Sequence, residues 1–337
     1  MTAGTVEVTD PTGTGEARRL VAGLTRRLGF GDTEAGRAAI VATELAGNLT
    51  KHATRGGRFV VQPMDRCGVP GVELLALDQG PGMANVAQCL RDGYSTAGSP
   101  GTGLGAVQRQ ADEFEIHSAV GVGTAILARI WSAPPEALPV AGITYGVVSV
   151  PKPGQEMCGD GWAVAGEPGA ERVLVIDGLG HGPDAARVAM EGARVFRAHC
   201  GESPTAILEH LHLALRPTRG AAVAVMALDR AARELRFAGV GNIAGSVVTA
   251  GESRSMVSHN GIVGHEMRKV QEFVYAWAPG ALLVLHSDGL NTRWSLDRYT
   301  GLAGRDPALV AGVLLRDHAR GTDDATALAV RAAAGAA

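Results

Sequence analysis

Apolar residues fall three and four positions apart over residues 16–28 and again over 34–53, the spacing of helices that bury one face. Asp32-Thr33 offers the second of these an N-cap. Short apolar runs follow at 58–62 and 72–77, bounded by Gly or Pro as sheet strands are. Two helices therefore precede the first clear strands. A glycine-rich stretch from 78 to 105 is broken by one short amphipathic piece at 87–92. Helix resumes near Leu104, and 113–118 and 123–130 read as closing strands.

The run Ser132-Ala133-Pro134-Pro135-Glu136-Ala137-Leu138-Pro139 starves the backbone of amide donors and disfavours both helix and central strand. It predicts a linker over 132–142 between domains at 1–131 and 143–331. Beyond it, strands are expected at 144–150, 162–164, 172–176, 222–228, 235–240 and 282–285, with helices at 183–199, 205–215 and 307–318. Strands in runs separated by paired helices predict a layered α+β fold. The chain contains no internal repeat.

Length agrees, since 337 residues at roughly 150 per domain give two domains. Hydrophobic residues at 46% and charged residues at 19% supply packed cores and exclude wholesale disorder. With 31 basic and 34 acidic side chains the net charge is -3, so no global basic field exists to hold nucleic acid or an anionic membrane. No apolar run approaches the ~18 residues that span a bilayer. Cys67, Cys89, Cys158 and Cys200 lie far apart without a CxxC pair, and the amino terminus lacks a basic segment with an apolar run, as expected of a reduced, cytoplasmic protein. The 47 glycines suit tight turns and backbone-lined sites, although a GC-rich genome gives the same bias.

Glu44 and Asn48 are four residues apart and Lys51-His52 follow by three or four, which places all of them on one helix face. A carboxylate and an amide so placed suit a hydroxyl and an Mg²⁺ ion, while a solvated helix face accounts for the same stripe. Asp78-Gln79-Gly80-Pro81-Gly82 follows an apolar strand. Its glycines would let backbone approach a flat ring while Asp78 accepts from an exocyclic amine, as in reading adenine. Gly101-Thr102-Gly103-Leu104-Gly105 opens a helix, where free amides favour phosphate. A plain strand-to-helix turn is the alternative for each glycine motif taken alone.

In this order the three pieces resemble the nucleotide site of the GHKL ATPase and kinase superfamily. Glu44-Leu45-Ala46-Gly47-Asn48, Lys51-His52-Ala53, Asp92-Gly93-Tyr94-Ser95-Thr96-Ala97-Gly98-Ser99 and Asp112-Glu113-Phe114-Glu115-Ile116 are most similar to the RsbT type, the serine kinases of bacterial partner-switching stress modules. The resemblance covers 1–131 and implies a Bergerat α/β sandwich that binds ATP with Mg²⁺. It would make Asn48 the Mg²⁺ ligand, Glu44 the base or hydroxyl-orienting carboxylate, Asp78 the adenine contact, and Gly80 and Gly82 the turn beneath it. Gly101, Gly103 and Gly105 would contact phosphate, and Thr124 would support the adenine pocket, a position that any β-branched strand residue also fits. Residues 83–101 would form a lid that orders on ATP. The sequence has no room before Glu44 for a dimerising helix pair with a phosphoacceptor His, and no GxxxxGK[ST] run, which argues against two-component autophosphorylation and a P-loop.

Four aspartates stand at strand ends in the second half: Asp160 in Cys158-Gly159-Asp160-Gly161-Trp162, Asp177 in Asp177-Gly178-Leu179-Gly180-His181-Gly182, Asp288 in His286-Ser287-Asp288-Gly289-Leu290, and Asp323 in Asp323-Asp324-Ala325-Thr326. Hard oxygen ligands invite Mg²⁺ or Mn²⁺, although Asp-Gly is also an ordinary turn dipeptide. Their order and neighbours resemble the PP2C-like phosphatases, in particular the SpoIIE and RsbX branch, which act on phosphoserine in partner-switching proteins. That likeness implies an αββα sandwich with two Mn²⁺ or Mg²⁺ ions between its sheets. Asp177 would bridge the metals, Asp160 and the Gly178 carbonyl would serve one, and Asp288 and Asp323 the other, with Asp324 the second choice to Asp323. Such a pair acidifies a shared water and neutralises phosphoryl oxygens. No cysteine has an Arg six positions later, as a thiolate phosphatase loop needs. His181 suits either protonation of the departing serine oxygen or a helix cap. The Gly239-Val240-Gly241-Asn242 turn fits the likeness without a side chain assigned to chemistry, and 256–270, with His259, His265, Arg268 and Lys269, reads as a surface loop, the alternative being a substrate-docking flap.

Together these readings describe a bifunctional partner-switching regulator: a metal-dependent serine phosphatase with an ATP-dependent serine kinase-like domain, acting on STAS-domain stress-signalling proteins. The alternative makes the first domain a non-catalytic, ATP-dependent module that sequesters a sigma factor or signalling partner.

Overall fold

The computed structural model describes residues 3–54, 56–66, 68–91, 103–134, 142–167, 169–249, 252–278 and 280–332. In chain order its elements begin with β1 (Gly4–Val8), α1 (Pro11–Arg27), α2 (Asp32–His52), β2 (Gly57–Arg66), β3 (Val69–Asp78), α3 (Val86–Cys89), α4 (Gly103–Gln110), β4 (Glu113–Ala119) and β5 (Gly123–Trp131). They continue with β6 (Ile143–Val150), β7 (Asp160–Ala165), β8 (Arg172–Gly178), α5 (Pro183–Ala198), α6 (Pro204–Leu215), β9 (Ala221–Asp229), β10 (Glu234–Val240) and β11 (Ala244–Thr249). The last are β12 (Glu252–Ser255), β13 (Phe273–Ala276), β14 (Leu282–His286), α7 (Pro307–His318) and β15 (Ala325–Ala332).

The chain forms two compact units. The first comprises Met1–Val140 with Arg298–Arg316, and the second Ala141–Asp297 with Asp317–Ala337. The break after Val140 falls just past the Pro-rich run, inside the expected linker at 132–142. The pattern at 307–318 does form a helix, but most of that helix groups with the first unit.

In the first unit one antiparallel sheet runs β1-β2-β3-β5-β4. Val21, Leu24, Val41, Leu45, Leu49 and Val107 bring α1, α2 and α4 down onto one of its faces. Asp10 caps α1 by accepting from the Thr12 amide at 2.7 Å. For α2 the expected Asp32-Thr33 cap is replaced by Gly31, which has no side chain to donate or accept, and Asp32 and Glu34 instead lie in the first turn, where they favour the positive end of the helix dipole. β1 precedes both helices, contrary to the order expected from sequence; its five residues are too few for a clear alternation.

Gly312 of α7 lies against Leu77 and Leu75 of β3. The start of α7 is fixed by Asp306, which accepts from Arg129 at 2.7 and 2.8 Å and from the Ala308 amide at 2.8 Å. Arg129 is buried, and it also pairs with Glu73 at 2.7 Å and Glu113 at 2.9 Å. Burial, reinforced by Asp306, outweighs Arg129 and pushes the Glu73 carboxyl up, whereas Arg129 faces three carboxylates and is held firmly charged. At the far end of α7, Arg316 donates to the carbonyl oxygens of Asp78 at 2.9 Å and Thr124 at 3.4 Å.

The second unit stacks two antiparallel sheets, ordered β13-β10-β9-β8-β7 and β12-β11-β14-β15-β6. Strand alternation builds both faces of the first sheet. Val173 and Val175 meet Val147, Leu283, Leu285 and Leu328 of the other sheet, while Leu174 and Ile176 meet Val188 and Phe196 of α5 and Ile207 and Leu211 of α6. The expected loop at 256–270 holds no helix or strand, yet it is pinned by bridges from His259 to Val240 and from Val263 to Ala221. No helix among the described residues is long and apolar enough to cross a membrane.

Candidate functional site

In the first unit, Glu44 and Asn48 stand one turn apart on α2, both partly buried. The start of α4 lies against them. A β-carbon on Gly103 would come within 2.8 Å of Glu44 Oε2 and 3.7 Å of Asn48 Oδ1, so a side chain there would close the gap. Asn48 Nδ2 is buried without a hydrogen-bond partner. An open donor beside the first amides of a helix suits an anionic ligand. Glu44 also lines a surface groove with Arg18, Gly36, Ala39, Ile40 and Thr43. Lys51 and His52 end α2 in exposed positions. Gly105 is buried inside α4, whereas Gly101, the 92–99 motif and most of the expected lid lie outside the described residues.

Asp78 ends β3 opposite Thr124 of β5. Its Oδ1 accepts from the Gly80 amide at 2.7 Å. Burial is the largest influence and raises the Asp78 carboxyl, against the pull of that amide, Arg316 and the Thr124 amide. Thr124 Oγ1 is 2.9 Å from Ser118 Oγ, which accepts from the Met83 amide at 2.8 Å and so ties the strand pair to the loop. Gly82 has φ +70°, and a β-carbon there would sit 2.1 Å from the Ala119 carbonyl oxygen. Only glycine satisfies both conditions. The structure thus groups Asp78, Gly80, Gly82 and Thr124 at one end of the sheet, and Glu44, Asn48 and Gly103 where α2 meets α4.

In the second unit, Asp160 opens β7 directly opposite Asp177 near the end of β8. Asp160 is buried; its Oδ2 accepts from Ser287 Oγ at 2.7 Å, and its Oδ1 has no partner. Ser287 Oγ in turn accepts from the Thr326 amide at 3.0 Å, and Thr326 Oγ1 is 2.7 Å from Ser149 Oγ. Burial, followed by repulsion from Asp160, Asp288, Asp323 and Asp324, pushes the Asp177 carboxyl far up. Burial does the same to Asp160, with Asp324 and Asp288 adding to it against the Ser287 and Thr326 hydroxyls. Four carboxylates therefore surround Asp177. Gly178 belongs to the same turn, its amide donating to the Gly159 carbonyl at 3.2 Å.

Asp323 and Asp324 play different parts. Asp323 is exposed and accepts the Asp324 amide at 2.9 Å. Asp324 is buried beside Gly159, with Oδ1 accepting the Lys152 amide at 2.8 Å and Oδ2 unpaired. Asn242, unassigned in the sequence reading, donates from Nδ2 to Asp288 Oδ2 at 2.7 Å. Nothing in the local sequence signals that contact, because the two residues meet only through the pairing of β11 with β14. His181 is exposed and does not cap α5, whose N-cap is Gly182 without a side-chain bond. Arg219, also without a sequence signal, approaches Gly180 and pairs with Asp184 at 2.9 Å. His286 is buried; its Nδ1–H donates to the Ser287 carbonyl and its Nε2 accepts from Trp294, so burial leaves it neutral behind Asp288.

Comparison with known proteins matches two separate stretches of the chain, and the second includes the segment Arg298–Arg316 that packs with the first unit. Residues 8–130 match the histidine kinase-like ATPase domain, and residues 167–333 match the Stage II sporulation protein E (SpoIIE) family. The serine/threonine-protein kinase RsbT of Bacillus subtilis is 39% identical over 115 residues, which cover 34% of this chain and 86% of that protein. The phosphoserine phosphatase RsbX of the same organism is 24% identical over 146 residues, 43% of this chain and 73% of that protein. A solved structure described as "The bacterial stressosome: a modular system that has been adapted to control secondary messenger signaling" is 25% identical with a TM-score of 0.53, and covers 56% of this chain and 99% of its own. RsbX in complex with magnesium shares the fold at a TM-score of 0.51 and 20% identity, over 57% of this chain and 96% of its own. The chain belongs, through its first unit, to the RsbT-type family of histidine kinase-like ATPase domains, and carries beyond it a region that matches the SpoIIE family and shares its fold with RsbX.

Proposed function

We propose that the second unit removes phosphate from phosphoserine on STAS-type signalling proteins, using two Mn²⁺ or Mg²⁺ ions, and that the first transfers phosphate from Mg²⁺-ATP to serine on proteins of the same class, in the cytoplasm. The observation that carries the phosphatase reading is the gathering of Asp160, Asp177, Asp288, Asp323 and Asp324, with Asp160 Oδ1 and Asp324 Oδ2 buried and unpaired. Buried carboxylate oxygens without a donor are costly unless a cation neutralises them, and an all-oxygen set suits hard divalent ions. Asp177, Asp160, Asp288, Asp323 and the Gly178 carbonyl would hold them, and the burial of Asp324 supports it as a further ligand. Bound divalent ions supply Lewis acidity, acidifying water and neutralising phosphoryl oxygens.

The chain's own groups prepare that chemistry. Ser287 and Thr326 fix one edge of Asp160 and leave the other open, while Asn242 holds Asp288. Arg219 supplies a cation beside the Gly178-to-Gly182 turn for a phosphoryl oxygen. In the first unit, Asn48 and the amides at the start of α4 would receive phosphate and Mg²⁺, and Asp78 would accept from the adenine amine. Glu44 touches both the start of α4 and the surface groove, which suits a carboxylate that takes the proton from a protein hydroxyl.

The deciding experiment is release of phosphate from a phosphoserine STAS protein by the purified chain with Mn²⁺, beside Asp177→Ala. Activity lost in the variant supports the reading. An inactive parent chain, with a known phosphatase active on the same substrate, refutes it.

A further inference from the structure

Three ligand-bearing side chains that the phosphatase site does not use meet where α5 gives way to α6. His199 is the C-cap of α5, Glu202 lies in the connection, and His210 stands on α6. His199 Nδ1 is 2.8 Å from one carboxylate oxygen of Glu202, and His210 Nε2 is 3.0 Å from the other. The two imidazoles stack with centroids 3.7 Å apart and an interplanar angle of 11°. The ligand atoms of all three residues lie within 4.8 Å of one another.

We propose that His199, Glu202 and His210 form a transition-metal site, of the class that takes Zn²⁺, tying the end of α5 to α6. Two borderline nitrogen donors and one carboxylate make the donor set of three-ligand zinc sites, with a position left for water. It differs in kind from the all-oxygen set around Asp177, so the two sites select different ions. The partial exposure of all three side chains, 33%, 42% and 39%, gives an ion a path from solvent. The last carbonyls of α5 point toward the connection and favour a cation there. Arg172 spends its guanidinium on the backbone oxygens of Glu202 and Ala170, and so does not compete for the Glu202 carboxylate. Without metal, each imidazole nitrogen facing Glu202 carries a proton. Binding requires each neutral ring to carry its proton on the nitrogen turned away from Glu202, and the stacked rings to tilt until their lone pairs converge, a movement open to side chains on the surface.

The test uses the full chain carrying Asp177→Asn, which disables the carboxylate site, titrated with Co²⁺ near neutral pH and back-titrated with Zn²⁺. One equivalent with visible d–d bands, bleached by Zn²⁺, is expected. His199→Ala and His210→Ala should each abolish the bands, and Glu202→Gln should weaken binding by about tenfold or more. Zn²⁺ should also raise the Tm of the Asp177→Asn chain and leave that of the same chain with both histidines replaced unmoved, which separates lost ligands from lost folding. Absence of stoichiometric Co²⁺ or Zn²⁺, or binding unaltered by replacing both histidines, overturns the proposal and leaves the cluster a hydrogen-bonded staple.

Discussion

Asp160 and Asp177 face each other in register across β7 and β8, and burial, with repulsion from neighbouring aspartates, holds both carboxyls well above the usual range. Near neutrality the metal-free protein therefore keeps protons that the unfolded chain has released. Its stability should be greatest at acid pH with respect to these groups, and fall as pH rises from the ordinary carboxylate range through the raised one. Mn²⁺ must displace those protons, so its affinity should tighten with rising pH. Calorimetric titration in two buffers of different ionisation enthalpy reads the proton release directly; equal heats and a pH-independent Kd would count against the carboxylate centre.

Ser287→Ala should act on the same centre at one remove. It deletes the donor to Asp160 Oδ2 and the acceptor of the Thr326 amide, at a cost of about 1–3 kcal/mol. Mn²⁺ affinity should drop by ~10–100-fold, as when a partner that orients a ligand is removed. Excess Mn²⁺ should recover part of the phosphatase rate. Unchanged metal binding would mean that Asp160 keeps its position without Ser287.

Glu44→Ala and Asn48→Ala separate transfer from binding. The first should retain nucleotide and lower phosphoryl transfer by about 10²–10⁴-fold; the second should lose nucleotide. Binding of a fluorescent ATP analogue and labelled transfer to a serine substrate give the two readouts. Normal nucleotide binding with no transfer from the parent chain itself would identify instead a module that sequesters a partner, such as a sigma factor.

Arg129→Ala should destabilise the first unit strongly. Glu73 would stay buried beside Asp306 without its cation, a loss of ~3–5 kcal/mol measured by denaturant unfolding. Adding Glu73→Gln should restore part of it. A cost below about 1 kcal/mol would show that the network relaxes.

How far the sequence carried the picture varies with the range of the interaction. The α2 stripe was legible because Glu44 and Asn48 depend only on helical period, and Asp160, Asp177, Asp288 and Asp323 stood out as candidates from their turn-like settings at strand ends. Asn242 and Ser287 were not, since each acquires its partner through pairing with a distant strand. Asp323 and Asp324 are adjacent in sequence, yet only folding buries the second and leaves the first in solvent. The edge strands β12 and β13 have four residues each, too few for periodicity to mark. The zinc-class cluster escaped notice because eleven positions separate His199 from His210 and only the turn into α6 brings them together.

Segment Arg298–Arg316 gives the first unit a discontinuous definition. A gene fragment ending at Val140 encodes a unit without the helix that lies over Leu77 and without the carboxylate that clamps Arg129. Recombination at the Pro-rich run would therefore hand a new host an incomplete part. Substitutions at Leu77, Arg129, Asp306 and Gly312 should accordingly be accepted in concert, although the first two lie more than 170 positions from the last two in the chain.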